Sequence, residues 1–434
     1  MGQASEMILN TIPDLLRSRK NLYLDRSVLE EMQIKKLGRL LKYAYDNVPF
    51  YHTKLKDAGI SPDDVRTIDD LRKIPLTTKK ELQRTPLNQI VAKGINVDAC
   101  VRSRTSGSTG LPLETLSSRK ADSHDAVMWD RAFFRNGMRL RDKMVVIRDP
   151  RNFQKKSLLE HFGIMRKKYV SIFDEAKTQA GIIARERPDI IESYPSSLEI
   201  LANYFQSKNL STKPRLIFTL AEFLDKRSRE LSETVFETEL FDYYGSSEIG
   251  LMSWECKGHD GYHINADNII MEFVDASNET IASEEQGEIV CTNLNNYAMP
   301  LIRYMQGDIG AKVEGQCSCG IRLPLMHIIG GRKDDFLVTT NGRIIPPTVF
   351  FPYPFENFRN IEQFRVIQES IKKLRIQIVV KWDFSSEALE KARKEIRRVF
   401  GEEMEVEFEF LEKLARDPNG KIRKVVSKLR QRRV

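Results

Sequence analysis

A chain of 434 residues, 41% apolar and 30% charged, is long enough for two or three domains with a proper core, and no run approaches the ~18 consecutive apolar residues of a membrane span. The formal charge of +8 is concentrated at the end: residues 411–434 hold nine Lys/Arg against two acids, a local +7 that leaves about +1 for everything before it. With no interleaved aromatics and no nucleic-acid motif, that tail points to a small phosphorylated ligand rather than to nucleic acid. Five scattered cysteines do not make a disulfide framework, and the first residues lack a basic segment followed by an apolar one, so a cytoplasmic protein is expected.

In chain order, residues 1–95 read as helical. Ile34, Leu37, Leu41 and Ala44 recur at helical spacing up to Pro49, and Asp69 opens a short segment that Pro75 ends. Next comes RSRTSGSTGLPLE, Arg102–Glu114, with eight of thirteen residues Ser, Thr, Gly or Pro. Small residues let backbone N–H groups turn inward around a phosphate chain. The spacing is not that of a Walker A loop, and Leu113-Glu114 stands where a basic residue would close one.

From about 100 to 250, short apolar runs alternate with helical patterns. Strands are predicted at Lys143–Arg148, Tyr169–Phe173, Ile190–Ser193, Arg215–Leu220 and Glu239–Tyr244, and helices at Lys177–Arg187 and Ser196–Ser207. This alternation predicts a largely parallel sheet, with ligands beyond the carboxyl ends of its strands. Residues 256–330 change to alternating strands, Ile269–Val274 and Gly287–Asn293, as a small β subdomain. Beyond Gly331 a compact α+β unit follows, with strands Phe364–Ile367, Leu374–Val380 and Met404–Phe410 around a helix Ser386–Phe400.

Five separated segments carry the chemistry: SGSTG at 106–110, YYGSSEIG at 243–250, IRYMQGDIG at 302–310, GGRKDDF at 330–336 and DPNGKIRK at 417–424. In this order they resemble the core motifs of the adenylate-forming superfamily. The likeness is to its phenylacetate–CoA ligase and capsule-biosynthesis ligase branch, and it runs from about Leu40, through YAYDNVPFY at 43–51, to Lys424. The resemblance implies an α/β fold with a large N-terminal domain of mostly parallel sheets and a β subdomain, plus a small α+β C-terminal domain. Residues 1–95 are then the helical part of the large domain, 96–331 its AMP-binding part with a β subdomain at 256–330, and 332–434 the mobile domain.

It implies, too, an AMP-forming acid–thiol ligase: ATP activates a carboxylic acid to an acyl-adenylate with pyrophosphate release, and the acyl group then passes to coenzyme A. The alternative is the same adenylation with transfer to an amine or carrier in polysaccharide or secondary-metabolite biosynthesis. A non-catalytic nucleotide-binding protein is disfavoured by the intact Glu248, Asp308 and Lys421. By resemblance, Ser106, Gly107, Ser108, Thr109 and Gly110 hold the β- and γ-phosphates, and Glu248, with Thr109, holds Mg²⁺. Tyr244 lies against adenine within Tyr243-Tyr244-Gly245-Ser246, Glu222 sits beside the purine, Asp308 takes the ribose hydroxyls, and Arg332 reaches the sugar or a phosphate. Lys421 places its ammonium between acyl carboxylate and α-phosphate, with Arg423 and Lys424 as alternatives; the hinge falls at Asp334 or Asp335. The acyl pocket is sought at Tyr194, Pro195 and Ser196. The identity of the acid is not legible, and a homodimer is compatible.

A second cluster is Cys256, His263, Cys317 and Cys319, in which His259 competes with His263. Three thiols and one imidazole complete a closed tetrahedral zinc site, and the resemblance implies structural zinc there. Cys100 and Cys291 read as core residues.

Overall fold

The computed structural model describes residues 13–104, 113–156, 158–275, 277–332, 336–345, 361–380 and 386–429. The chain forms two compact units, each from two stretches: Met1–Gly137 with Tyr243–His327, and Met138–Asp242 with Ile328–Val434.

In the first unit the helix Arg26–Asn47 turns one face inward, burying Leu29, Gln33, Leu37, Leu40, Leu41 and Ala44, a stripe built on three- and four-residue spacing. Leu37, Leu40, Leu41 and Ala44 share a core with Ile270, Leu294 and Ile302. Pro49 ends this helix and also opens the next, Pro49–Asp57, because a proline at the first helical position lacks only an N–H that has no partner there. The strands Ile269–Val274, Gly287–Asn293 and Tyr304–Val313 pair antiparallel, as do Tyr262–Ile264 and Gly250–Glu255. Val101–Arg104 and Glu114–Ser117 form a separate antiparallel pair flanking the Ser/Gly-rich loop.

In the second unit four strands run parallel in the order Leu216–Leu220, Ile190–Ser193, Lys143–Arg148, Arg166–Ser171. Met144–Ile147 and all of Ile190–Ser193 are buried, as expected of parallel strands covered on both faces. The edge strand starts at Arg166, three residues before the apolar run suggests, because Arg166-Lys167-Lys168 extend the pairing beside Lys143–Val145. Charged edges of this kind resist further strand addition. Helices Ala176–Glu186, Pro195–Ser207 and Lys226–Phe236 pack over the sheet through Ile183, Leu198, Leu201, Phe205 and Phe236.

Four further strands form a mixed sheet in the order Glu405–Phe410, Lys373–Val380, Ile361–Ser370, Val425–Ser427. Leu374, Ile376 and Ile378 alternate with Lys373, Arg375 and Gln377 and are wholly buried, each contributing about 1.5–3 kcal/mol of burial at most. The helix Ser386–Phe400 answers with Ala392, Ile396 and Phe400, four residues apart. The α/β fold with its β-rich and α+β parts is thus as the motifs imply.

Candidate active site

In the first unit the strand Leu240–Ser246 turns back into Gly250–Glu255, pairing Tyr244 with Ser253 and Gly245 with Leu251 across a bulge. Two glycines make the turn possible. A Cβ on Gly245 would stand 2.6 Å from the Gly250 carbonyl oxygen; Gly250 has φ +92°, and a Cβ there would meet the Asp125 carboxylate at 2.0 Å. Asp125 accepts from the Leu251 amide at 3.0 Å and the Trp129 indole at 3.2 Å. Burial pushes its pKa up to about 6 against those two bonds. No motif pointed to Asp125; the signal is a contact 126 residues away in sequence.

The turn exposes Ser247 and half-buries Glu248, whose Oε1 accepts from the Tyr304 hydroxyl at 3.2 Å. The Tyr244 hydroxyl donates to Asp308 Oδ2 at 2.8 Å. The YYGSSEIG and IRYMQGDIG segments therefore meet through two tyrosine–carboxylate bonds, which hold Glu248 and Asp308 in place. Ser246 caps the turn, its Oγ accepting from the Ile249 amide. The Tyr243 ring is core, stacked near Trp129 and Phe133 with its hydroxyl accepting from Asn136, so its backbone is what it can offer a ligand. Ser106–Gly110 and Asp334-Asp335 lie outside the described residues, and of Arg332 only the backbone is described, at the end of Leu325–Arg332. Glu114, which ends the Ser/Gly-rich stretch, binds Arg102 at 2.7 Å and Arg104 at 3.0 Å.

In the second unit the carboxyl end of the parallel strand Leu216–Leu220 meets the DPNGKIRK segment. Ala221 has φ +74°, a conformation that costs a residue with a Cβ on the order of 1–2 kcal/mol. It aims Glu222 back at the helix Pro195–Ser207. Glu222 accepts from the Ser196 amide (2.9 Å), the Ser196 hydroxyl (3.0 Å) and the Ile422 amide (2.9 Å). Lys421 donates from Nζ to the Ala221 carbonyl at 2.6 Å. Both donors of Ser196 serve Glu222, Pro195 opens the helix, and Tyr194 is 7% exposed within the core. Lys421 rides on a tight turn: the Gly420 amide donates to Asp417 O and the Asp417 amide to Lys421 O, both at 2.8 Å. Gly420 is obligatory twice over, with φ +82° and a Cβ position 2.3 Å from Ile172 Cγ2.

The Cys256–His263–Cys317–Cys319 cluster is assembled in the first unit, its four ligand atoms all within 4.8 Å of one another. His263 Nε2 lies 3.3 Å from Cys256 Sγ and 3.4 Å from Cys319 Sγ, and the Cys256 and Cys317 sulfurs are 3.4 Å apart. Tetrahedral zinc needs edges of about 3.8 Å between sulfurs and about 3.5 Å from sulfur to nitrogen, so the donor set fits with small outward shifts. None of the three thiols is in a disulfide. Backbone amides of Gly258, Cys319 and Ile321 point at the sulfurs, and Ser318 is pinned by Asp260 at 2.7 Å. His259 lies outside the cluster, 3.7 Å from Glu255. Burial pulls the His263 pKa down to about 4, which keeps the ring neutral as a ligand must be. Cys291 is buried, and Cys100 is half-buried.

The CapK C-terminal domain family matches residues 337–428. The chain is 29% identical over 338 residues to phenylacetate-coenzyme A ligase of Escherichia coli (strain K12), covering 73% of this chain and 74% of that one. It is 23% identical over 427 residues to protein CapK of Staphylococcus aureus, covering 93% and 90%. Its fold matches the crystal structure of 2-hydroxyisobutyryl-CoA ligase in the postadenylation state with R3-HIB-AMP at a TM-score of 0.78 and 19% identity, covering 94% and 91%. The fold and motifs define an adenylate-forming ligase. Within that superfamily the chain is similar to phenylacetate–CoA ligases and to protein CapK.

Proposed function

We propose that this ligase activates a carboxylic acid with ATP and then transfers the acyl group to coenzyme A. The observation that carries the reading is the Gly420-Lys421 turn seated on Ala221 and Glu222 at the carboxyl end of a parallel strand, where such sheets bind ligands. A substrate carboxylate oxygen attacks the α-phosphorus, the bond to the β-phosphate oxygen breaks, and pyrophosphate leaves. Lys421 supplies a fixed cation where negative charge gathers between acid and phosphate. Coenzyme A's thiolate then attacks the acyl carbon and AMP departs.

Under this reading Asp308 takes the ribose hydroxyls, Tyr244 and Glu222 adjoin the adenine, and residues 106–110 and Arg332 serve the phosphates. Glu248 with Thr109 offers hard oxygen donors for Mg²⁺, which would neutralise phosphate charge. The cysteine–histidine cluster would hold zinc as a structural clasp. Residues 332–434 act as a mobile domain hinged at Asp334 or Asp335, and Tyr194–Ser196 adjoin the acyl pocket. The similarity to CapK along 93% of the chain favours a second reading, in which an amine or a carrier replaces coenzyme A as acceptor.

The test is product analysis with a panel of carboxylic acids. AMP and pyrophosphate should form in equal amounts with at least one acid, and an acyl-CoA should appear when coenzyme A is added. AMP and pyrophosphate without any thioester would favour the second reading; ADP and phosphate as products would contradict both.

A further inference from the structure

Three residues beyond Lys421, a second lysine enters the protein and does something different. Lys424 Nζ lies 2.7 Å from Asp225 Oδ2, 2.7 Å from Glu199 Oε2 and 2.8 Å from Ser228 Oγ. Asp225 and Glu199 are each 3% exposed and belong to different elements: Asp225 caps the helix Lys226–Phe236, and Glu199 lies in the helix Pro195–Ser207. The same helix carries Ser196, which holds Glu222. Two buried carboxylates facing one spot are unfavourable without a cation, and the cation arrives on the C-terminal segment. Backbone bonds fix the lysine's approach: the Val366 amide donates to Lys424 O at 2.8 Å, and Arg365 Nε donates to Arg423 O at 2.9 Å.

We propose that Glu199 and Asp225 form an acidic socket for Lys424, and that Lys424 is a positioning residue for acyl-adenylate formation, setting the register that puts Lys421 on Ala221. This rests on the reading of Lys421 given above. The socket and the Lys421 contact are coupled through three residues of chain. If Lys424 leaves, the Gly420-Lys421 turn loses its ionic anchor and relies on the Ala221 carbonyl, the Glu222 bond to Ile422 and the contact of Arg151 with Pro418 O at 2.6 Å. Burial opposes the ammonium's charge, but Asp225 and then Glu199 outweigh it, so the lysine stays charged in the socket. An ångström of drift at a reacting centre costs on the order of 10²-fold in rate. In the transfer half-reaction, where Lys421 has no part, the socket has none either.

The test compares the full-length parent with Lys421→Ala, Lys424→Met, Lys424→Arg and Glu199→Gln in single-turnover measurements of each half-reaction. Hydrogen exchange of the 417–428 backbone is followed in parallel. Lys424→Met should slow adenylate formation by about 10- to 100-fold while transfer from pre-formed acyl-adenylate is unchanged. Lys424→Arg should restore most of the rate, and Glu199→Gln should fall between parent and Lys424→Met. The Ile422 amide, bonded to Glu222 in the parent, should lose protection in Lys424→Met. Parental adenylation and parental Ile422 protection in Lys424→Met would overturn the proposal, as would equal loss of both half-reactions. If Lys424→Met does not fold, Glu199→Gln carries the same test with the side-chain shape preserved. If Lys421→Ala adenylates normally, the reading of Lys421 fails, whereas normal adenylation in Lys424→Met alone sinks only the socket.

Discussion

Gly420→Ala is the smallest change that should misplace Lys421. The new methyl would lie 2.3 Å from Ile172 Cγ2, with Ile172 Cδ1 at 3.4 Å and Cβ at 3.5 Å. Carbon atoms prefer about 3.5–4.0 Å, so one partner must yield by more than an ångström. Ile172 is 0% exposed in a packed core and has nowhere to go. Alanine at φ +82° adds about 1–2 kcal/mol of backbone strain. The turn therefore backs away, and the 2.6 Å bond from Lys421 to Ala221 breaks. Adenylate formation should fall by about 10²-fold, with acyl transfer from pre-formed adenylate preserved. The control is Gly420→Ala/Ile172→Ala, which deletes the colliding methyl. It should recover part of the adenylation rate even though Ile172→Ala alone destabilises the fold by about 2–5 kcal/mol. The assay is single-turnover formation of acyl-adenylate under saturating ATP. A Gly420→Ala variant that adenylates at the parental rate, or a double variant slower than either parent variant, would refute the reasoning.

On the proposed reading Glu248 and Asp308 are fixed electrostatic partners of the nucleotide, so Glu248→Gln and Asp308→Ala should each cut adenylation by on the order of 10²–10³ in the same assay. Purified protein should carry about one zinc per chain by metal analysis, and Cys317→Ser should lose the metal and melt at lower temperature, because site binding adds to folding. Asp125→Asn should remove the pH dependence that this carboxylate gives to stability. The Asp125 pKa of about 6 is raised above the ordinary 3.8, so the folded form holds the proton more tightly and the parent loses stability as pH rises from about 4 through about 6. In urea unfolding the parent should thus lose stability between about pH 4 and pH 6 in a way that the variant does not.

The sequence exposed most of what periodicity and composition control. Ile190–Ser193, Gly287–Asn293 and Ser386–Phe400 fall where their apolar spacing puts them, and the cysteines and His263 meet although 61 residues separate Cys256 from Cys317. What stayed hidden depends on pairings that local pattern cannot encode. Asp125 supports the Gly250 turn from a distant helix, and Glu199 and Asp225 receive Lys424 across about 200 positions. The strain at Ala221 is invisible because alanine gives no hint of a positive φ. Ser196 illustrates the reverse: its place in the chain was legible, but its bonds to Glu222 define what it does.

The central claim is that an acyl-adenylate forms before any acceptor takes part. The most direct measurement is exchange of labelled pyrophosphate into ATP, with a panel of carboxylic acids and no coenzyme A. The account predicts acid-dependent exchange that Lys421→Ala abolishes. Acyl-CoA production with no exchange under any acid, or exchange undiminished in Lys421→Ala, would contradict it.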